Sequence, residues 1–176
     1  MKQRKVKIYT GKFFTAPQGV QRIDSSTTHG WQVRYQGTKF FSDGVHESAA
    51  GALAAATKEL LSRIATMPAP VTLKRAPSPS KTSGLPPGIS GPIVVSRSED
   101  RTSSAVLSVS LPQFGAEAKV RKVHIGTENT YTQRRYREAL QEAKALRAEA
   151  VAAYEAAATQ ARRRSARELR QSLAAR

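Results

Sequence analysis

The sequence contains no cysteine, which excludes disulfides, thiolate-held zinc and cysteine nucleophiles together. It has no run of about 18 apolar residues, so none of its helices should span a membrane. Acid is scarce: 13 Asp and Glu stand against 29 Lys and Arg, a formal net charge of +16. Apolar residues make up 39% of the chain and aromatics 6%, below the usual share for one well-packed core. Over 176 residues this favours two minimal cores joined by exposed sequence. The basic start (Lys2, Arg4, Lys5, Lys7) runs into Tyr9, Gly11 and Lys12 without the apolar stretch of a signal peptide. A soluble intracellular protein with a polyanionic partner is expected.

The makings of catalysis are missing too. Asp24, Asp43 and Asp100 are scattered, and most Glu residues fall in helical stretches at exposed-face spacing, whereas two-metal nucleases need converging carboxylates. The three histidines (His29, His46 and His124) are isolated and offer no metal-ligand spacing. No Gly-rich phosphate loop precedes Lys-Ser or Lys-Thr, and no Gly-x-Ser-x-Gly elbow occurs. No enzyme activity, metal, cofactor, membrane or small-molecule substrate is expected. Asp43 reads as a turn or helix-entry residue, and His29 and His46 as surface residues.

What is present is positive charge, unevenly spread. Residues 1–65 carry +6 and residues 66–91 carry +3, while 92–131 and 132–161 carry +1 each. Residues 162–176 carry +5, from Arg162, Arg163, Arg164, Arg167, Arg170 and Arg176 against Glu168. Cationic ends suit an extended phosphate backbone. Nucleic acid is favoured over a membrane surface because no large apolar anchors accompany the charge.

Proline punctuates the middle. Met67-Pro68-Ala69-Pro70, Pro77-Ser78-Pro79 and Leu85-Pro86-Pro87-Gly88 can sustain neither a helix nor an interior strand. This predicts a basic arm at 1–16, a first module at 17–66, a linker at 67–86, a second module at 87–147 and a helical extension at 148–176. In the first module Gly19–Ile23 reads as a strand and Asp24–Gly30 as a polar turn. Trp31, Val33 and Tyr35 then alternate with Gln32, Arg34 and Gln36. Gly37-Thr38 should make a tight hairpin into Lys39–Ser42. A helix from about Ser48, its N-cap, to about Ile64 carries one apolar stripe that can cover Trp31.

The second module repeats that order with strands near 89–95, 105–111 and 119–125 and a helix from Thr132. No Pro or Gly interrupts residues 132–176, so this helix could run ~60 Å at 1.5 Å per residue. Tyr136, Ala139, Ala143, Leu146, Ala150, Ala153 and Ala157 keep a spacing that would suit a homodimeric coiled-coil seam, with a solvated Ala-rich helix as the alternative. The fold class expected is α+β: two small modules, each a three-stranded antiparallel sheet packed on one helix, with a long Ala/Arg-rich C-terminal helix.

The order Gly-Val, a strand opening on Trp31, then Lys39-Phe40-Phe41-Ser42-Asp43 and Ala49-Ala50-Gly51-Ala52-Leu53 resembles the Apetala-two/ethylene-response-factor DNA-binding domain, in its phage and bacterial branch. The second module resembles it through Leu85-Pro86-Pro87-Gly88-Ile89, Val123-His124-Ile125-Gly126 and Arg137-Glu138-Ala139-Leu140. The resemblance implies that the sheet enters the DNA major groove. Facing DNA would be Gln21 and Ile23 on strand one, Gln32, Arg34 and Gln36 on strand two, and Lys39 and Phe41 on strand three. In the second module it implies Ser90, Val106, Ser108, Ser110, Lys122 and His124, a far less basic face. Such chemistry suits direct readout: Arg grips a guanine edge, Gln an adenine edge, and Phe packs on a thymine methyl. Trp31 is expected in the core.

The function expected is therefore sequence-specific binding of double-stranded DNA, as a transcriptional regulator in the cytoplasm at the nucleoid, with Arg162, Arg163 and Arg164 clamping phosphates. A nucleoid-associated or recombination-accessory architectural protein is the alternative. An RNA-binding or ribosome-associated protein comes third, because few aromatics (Phe41, Phe13, Phe14, Tyr9) are available to stack unpaired bases.

Overall fold

The computed structural model describes residues 1–96 and 102–175; Asp100 and Arg176 lie outside the described residues. The chain divides into two compact units, one made of Met1–Val71 with the residues from Ala158 on, the other of Thr72–Ala157. Both are α+β and antiparallel, as expected.

In the first unit the basic arm is an ordered hairpin, β1 (Gln3–Lys7) paired with β2 (Phe13–Pro17). Its apolar positions Val6, Ile8, Phe14 and Ala16 turn toward the core. A three-stranded sheet follows, in the order β3 (Val20–Asp24), β4 (His29–Arg34), β5 (Thr38–Ser42). Val20, Trp31, Val33 and Phe41 fill its inner face. Helix α1 (Ala49–Thr66) covers that face, and Ser48 caps it by accepting a hydrogen bond from the Gly51 amide at 3.0 Å. Ala52 and Ala56 let the helix approach closely, while Leu60 and Ile64 supply apolar area, ~1.5–3 kcal/mol for each such side chain. Trp31 is fully buried, and its indole Nε1 donates to the Ala49 carbonyl at 2.8 Å. A wholly buried indole needs such an acceptor.

The second unit repeats the plan with β6 (Ile89–Val95), β7 (Ser104–Gln113) and β8 (Ala116–Thr127) in that spatial order. Helix α2 (Gln133–Ala174) opens at Thr132, whose Oγ1 accepts from the Arg135 amide at 3.2 Å. Residues of its first turns cover the sheet: Ala139 and Ala143 are buried with Leu107, Val109, Val123 and Ile125, and Tyr136 and Leu146 pack beside them. The first half of the stripe expected to serve a homodimer thus closes the chain's own core. The end of the Pro-rich stretch is tied to this unit, since Leu85 is buried and Lys81 Nζ donates to the carbonyls of Pro86 at 2.9 Å and Ile89 at 2.6 Å.

The part of α2 beyond Ala158 belongs to the first unit, where Ala166 and Leu169 join Trp31, Leu60 and Leu61 in one core. The stretch expected to be a helical extension is a packing element of the first core. Among the described residues, no helix is long and apolar enough to cross a membrane.

Candidate nucleic-acid interface

With α1 and the β1–β2 hairpin on one side, the β3–β4–β5 sheet has an outer face set by its register. Gln21 pairs with Gln32, Ile23 with Gly30, Gln32 with Phe40 and Arg34 with Thr38. Directly paired residues share a face, so this face carries Gln21, Ile23, Gln32, Arg34, Thr38 and Phe40. Arg34 is exposed, and its Nε donates to Gln32 Oε1 at 2.7 Å. That bond orients the guanidinium along the strand and leaves its terminal nitrogens for other acceptors.

Two expected contacts on the third strand are corrected. Phe41 sits opposite Trp31, only 8% exposed, and Lys39 sits opposite Val33 with its Nζ 3.3 Å from Glu59 of α1. Both lie on the helix side. Their outward places are taken by Thr38 and Phe40, the latter 38% exposed. The reason is the turn. A two-residue Gly37-Thr38 loop would have paired Gln36 with Lys39, but the ladder closes at Arg34 and Thr38, leaving Tyr35, Gln36 and Gly37 as the loop. One extra residue reverses the face of every following side chain. Gln36 and Gly37 have φ of 48° and 106°, the left-handed geometry such turns require. Gln36 therefore stands in the turn rather than on the sheet, and its side-chain amide donates to the Pro68 carbonyl at 3.2 Å.

Gly30 is required by this arrangement. A Cβ there would come 2.3 Å from the Phe41 carbonyl oxygen, which is fixed backbone, and 2.5 Å from Phe40 Cζ, so the Phe40 ring lies against bare backbone. Such a pairing shields a strand glycine and holds the aromatic flat.

Acid is kept to the other side. Arg22, 9% exposed, grips Asp43 with two hydrogen bonds of 2.8 and 2.6 Å and donates from Nε to Asp24 at 2.9 Å. Its guanidinium stacks 5.2 Å from the Trp31 ring centroid. Burial alone would favour neutral Arg22, but the hydrogen bonds to Asp43 and Asp24 outweigh it and hold the cation still more firmly. At Asp24 burial, which would raise the pKa, is likewise overcome by hydrogen bonds from Arg22 and His29, so the carboxyl lies below its usual value. His29 also stacks on Tyr9 at 3.8 Å. Asp43, read as a turn or helix-entry residue, does lie in the turn after β5, and its carboxylate is one jaw of an ion-pair network.

The Arg-rich stretch is partly committed. Arg162 donates to the Gln18 carbonyl at 2.9 Å and lies over the Tyr35 ring at 6.0 Å, and burial lowers its pKa. Arg163 donates to the carbonyl of Ile64, in the last turn of α1, at 3.4 Å, a group with no partner within its own helix. Arg170 reaches the Leu61 carbonyl at 3.1 Å. Arg164 is exposed. These arginines hold the end of α2 within the first unit; of the expected trio, Arg162 is half-buried, while Arg163 and Arg164 are both exposed.

In the second unit the outward residues fall as expected. Ser90 pairs with Ser108 and Ser108 with Lys122, Val106 pairs with His124, and Ser110 with Val120. Lys122 and His124 are exposed. The face also carries Val106, buried at 7%, with the exposed Ile93 and Val120, and offers few groups able to discriminate bases.

Among the described residues, no cluster of His, Cys, Asp and Glu could hold a metal ion. The β1–β2 hairpin was the chief omission of the sequence reading; the alternation Val6/Ile8 against Lys5/Lys7 was its signal. No protein-family model, curated protein or solved structure matches this chain.

Proposed function

We propose that this chain binds double-stranded DNA sequence-specifically, as a transcriptional regulator acting at the nucleoid, with the outer face of β3–β4–β5 laid in the major groove. One observation carries the reading. An exposed sheet face presents Gln21, Gln32, Arg34 and Phe40 without a carboxylate, while Asp24 and Asp43 are bound to Arg22 on the opposite side. Arg34 suits a guanine edge, Gln21 and Gln32 an adenine edge, and Phe40, in place of Phe41, a thymine methyl or sugar. The net charge of +16 supplies the long-range attraction.

Selection of bound fragments from a random duplex pool at about 150 mM salt should enrich one motif. On that motif Arg34→Ala should cost ~1–3 kcal/mol and relax the preference at a single position. Equal weakening on every sequence would remove the readout. The Ser- and Val-rich face of the second unit favours a second reading, an architectural protein that follows DNA shape; tight binding without enrichment would establish it.

A further inference from the structure

Beside the reading face lies a groove of about 420 Å³, lined by Lys2, Arg4, Gln18, Gln21 and Arg34 among others. We propose that this groove is a phosphate site, which takes the sugar-phosphate backbone flanking the bases that the sheet contacts. The inference rests on the DNA-binding reading above and adds to it a separate anchoring element, the β1–β2 hairpin.

The groove contains three cations and no carboxylate. That composition is unusual next to a sheet whose inner side holds the Arg22–Asp24–Asp43 network, and it selects an anion. Its walls are fixed by hydrogen bonds to backbone carbonyls. The Gln18 amide donates to the Lys2 carbonyl at 2.9 Å, and an Arg4 terminal nitrogen donates to the Val20 carbonyl at 3.3 Å. Arg162 holds the Gln18 carbonyl from the helix side. Arg4 keeps further N–H donors beyond the one spent on Val20, and Gln18 and Gln21 offer side-chain amides; this is the mixture that grips phosphate oxygens. β3 is an edge strand, so the groove runs along the border of the reading face and shares Gln21 and Arg34 with it. A backbone seated there would fix the register of the duplex against the sheet without reading sequence.

The test compares the unmodified chain with Lys2→Ser/Arg4→Gln, and with Lys2→Glu alone, at a position outside the β1–β2 ladder. Thermal melting and the emission of buried Trp31 establish that each variant is folded. On the motif selected by the unmodified chain, the double variant should bind roughly 5- to 30-fold more weakly at about 150 mM salt, and its plot of log K against log salt should flatten by ~0.9 for each phosphate no longer neutralised. The enriched motif should stay the same. Unchanged affinity and slope would overturn the groove while leaving the sheet reading intact. A changed motif would make it a base reader and overturn the phosphate assignment. Failure of the unmodified chain to bind any duplex would overturn both.

Discussion

Two adjacent phenylalanines face opposite sides of one sheet. Phe40 and Phe41 are alike in composition and hydropathy, and no periodicity argument separates them, because either can continue an alternating strand. What separates them is one residue in the preceding turn. The inward face of β4 was legible, since Trp31, Val33 and Tyr35 share a parity that Gln32 and Arg34 do not. The parity of β5 was not, because it depends on the loop of Tyr35, Gln36 and Gly37, whose left-handed geometry at a glutamine has little local signal. The two side chains should answer substitution in opposite ways. Phe41→Ala removes a buried ring that sits opposite Trp31 in the ladder and should lower stability by ~3–5 kcal/mol. Phe40→Ala should change stability by less than about 1 kcal/mol yet weaken duplex binding. Denaturant unfolding and a binding titration on both variants check this; equal destabilisation would refute the register.

At the scale of elements, helix α2 was the hardest to read. Its start at Thr132 and uninterrupted length follow from the absence of Pro and Gly, and its Ala-rich stripe was visible. Its use was not. A stripe of Tyr136, Ala139, Ala143 and Leu146 fits a partner helix and a sheet equally well at the level of spacing, and the sheet of its own unit occupies it. Farther along, Ala166 and Leu169 were hidden among arginines, where charge dominated the pattern. Yet those arginines and apolar residues work together: Arg163 and Arg170 bond carbonyls of α1 while Leu169, 3% exposed, enters the core. Leu169→Ala should therefore destabilise the first unit by ~2–5 kcal/mol, read as an earlier transition in Trp31 fluorescence. Loss of DNA affinity with an unshifted transition would show the stretch to be only a charged tail.

For the molecule as a whole, composition was the better guide. A low apolar share in 176 residues anticipated two small cores, and two are found, one around Trp31 and one around Leu107. The net charge of +16 also sets a collective property. Like charges repel across each small unit and raise the cost of compactness. Added sodium chloride should screen this and raise the thermal midpoint, even as it weakens duplex binding; a midpoint that falls or stays flat would show the charge to be locally compensated. The second core is assembled from one continuous stretch of chain, but the first is not: its strands and α1 come before residue 72 and its last helical wall after residue 157. On a ribosome, where segments emerge in order, the earlier unit lacks the Ala166 and Leu169 of its core until the whole of the later one has been made. The unit that is translated first is thus completed last, through contacts such as Arg162 with Gln18 and Arg170 with Leu61 that lie more than 100 residues apart in sequence; contacts of such separation carry the largest loop-closure cost.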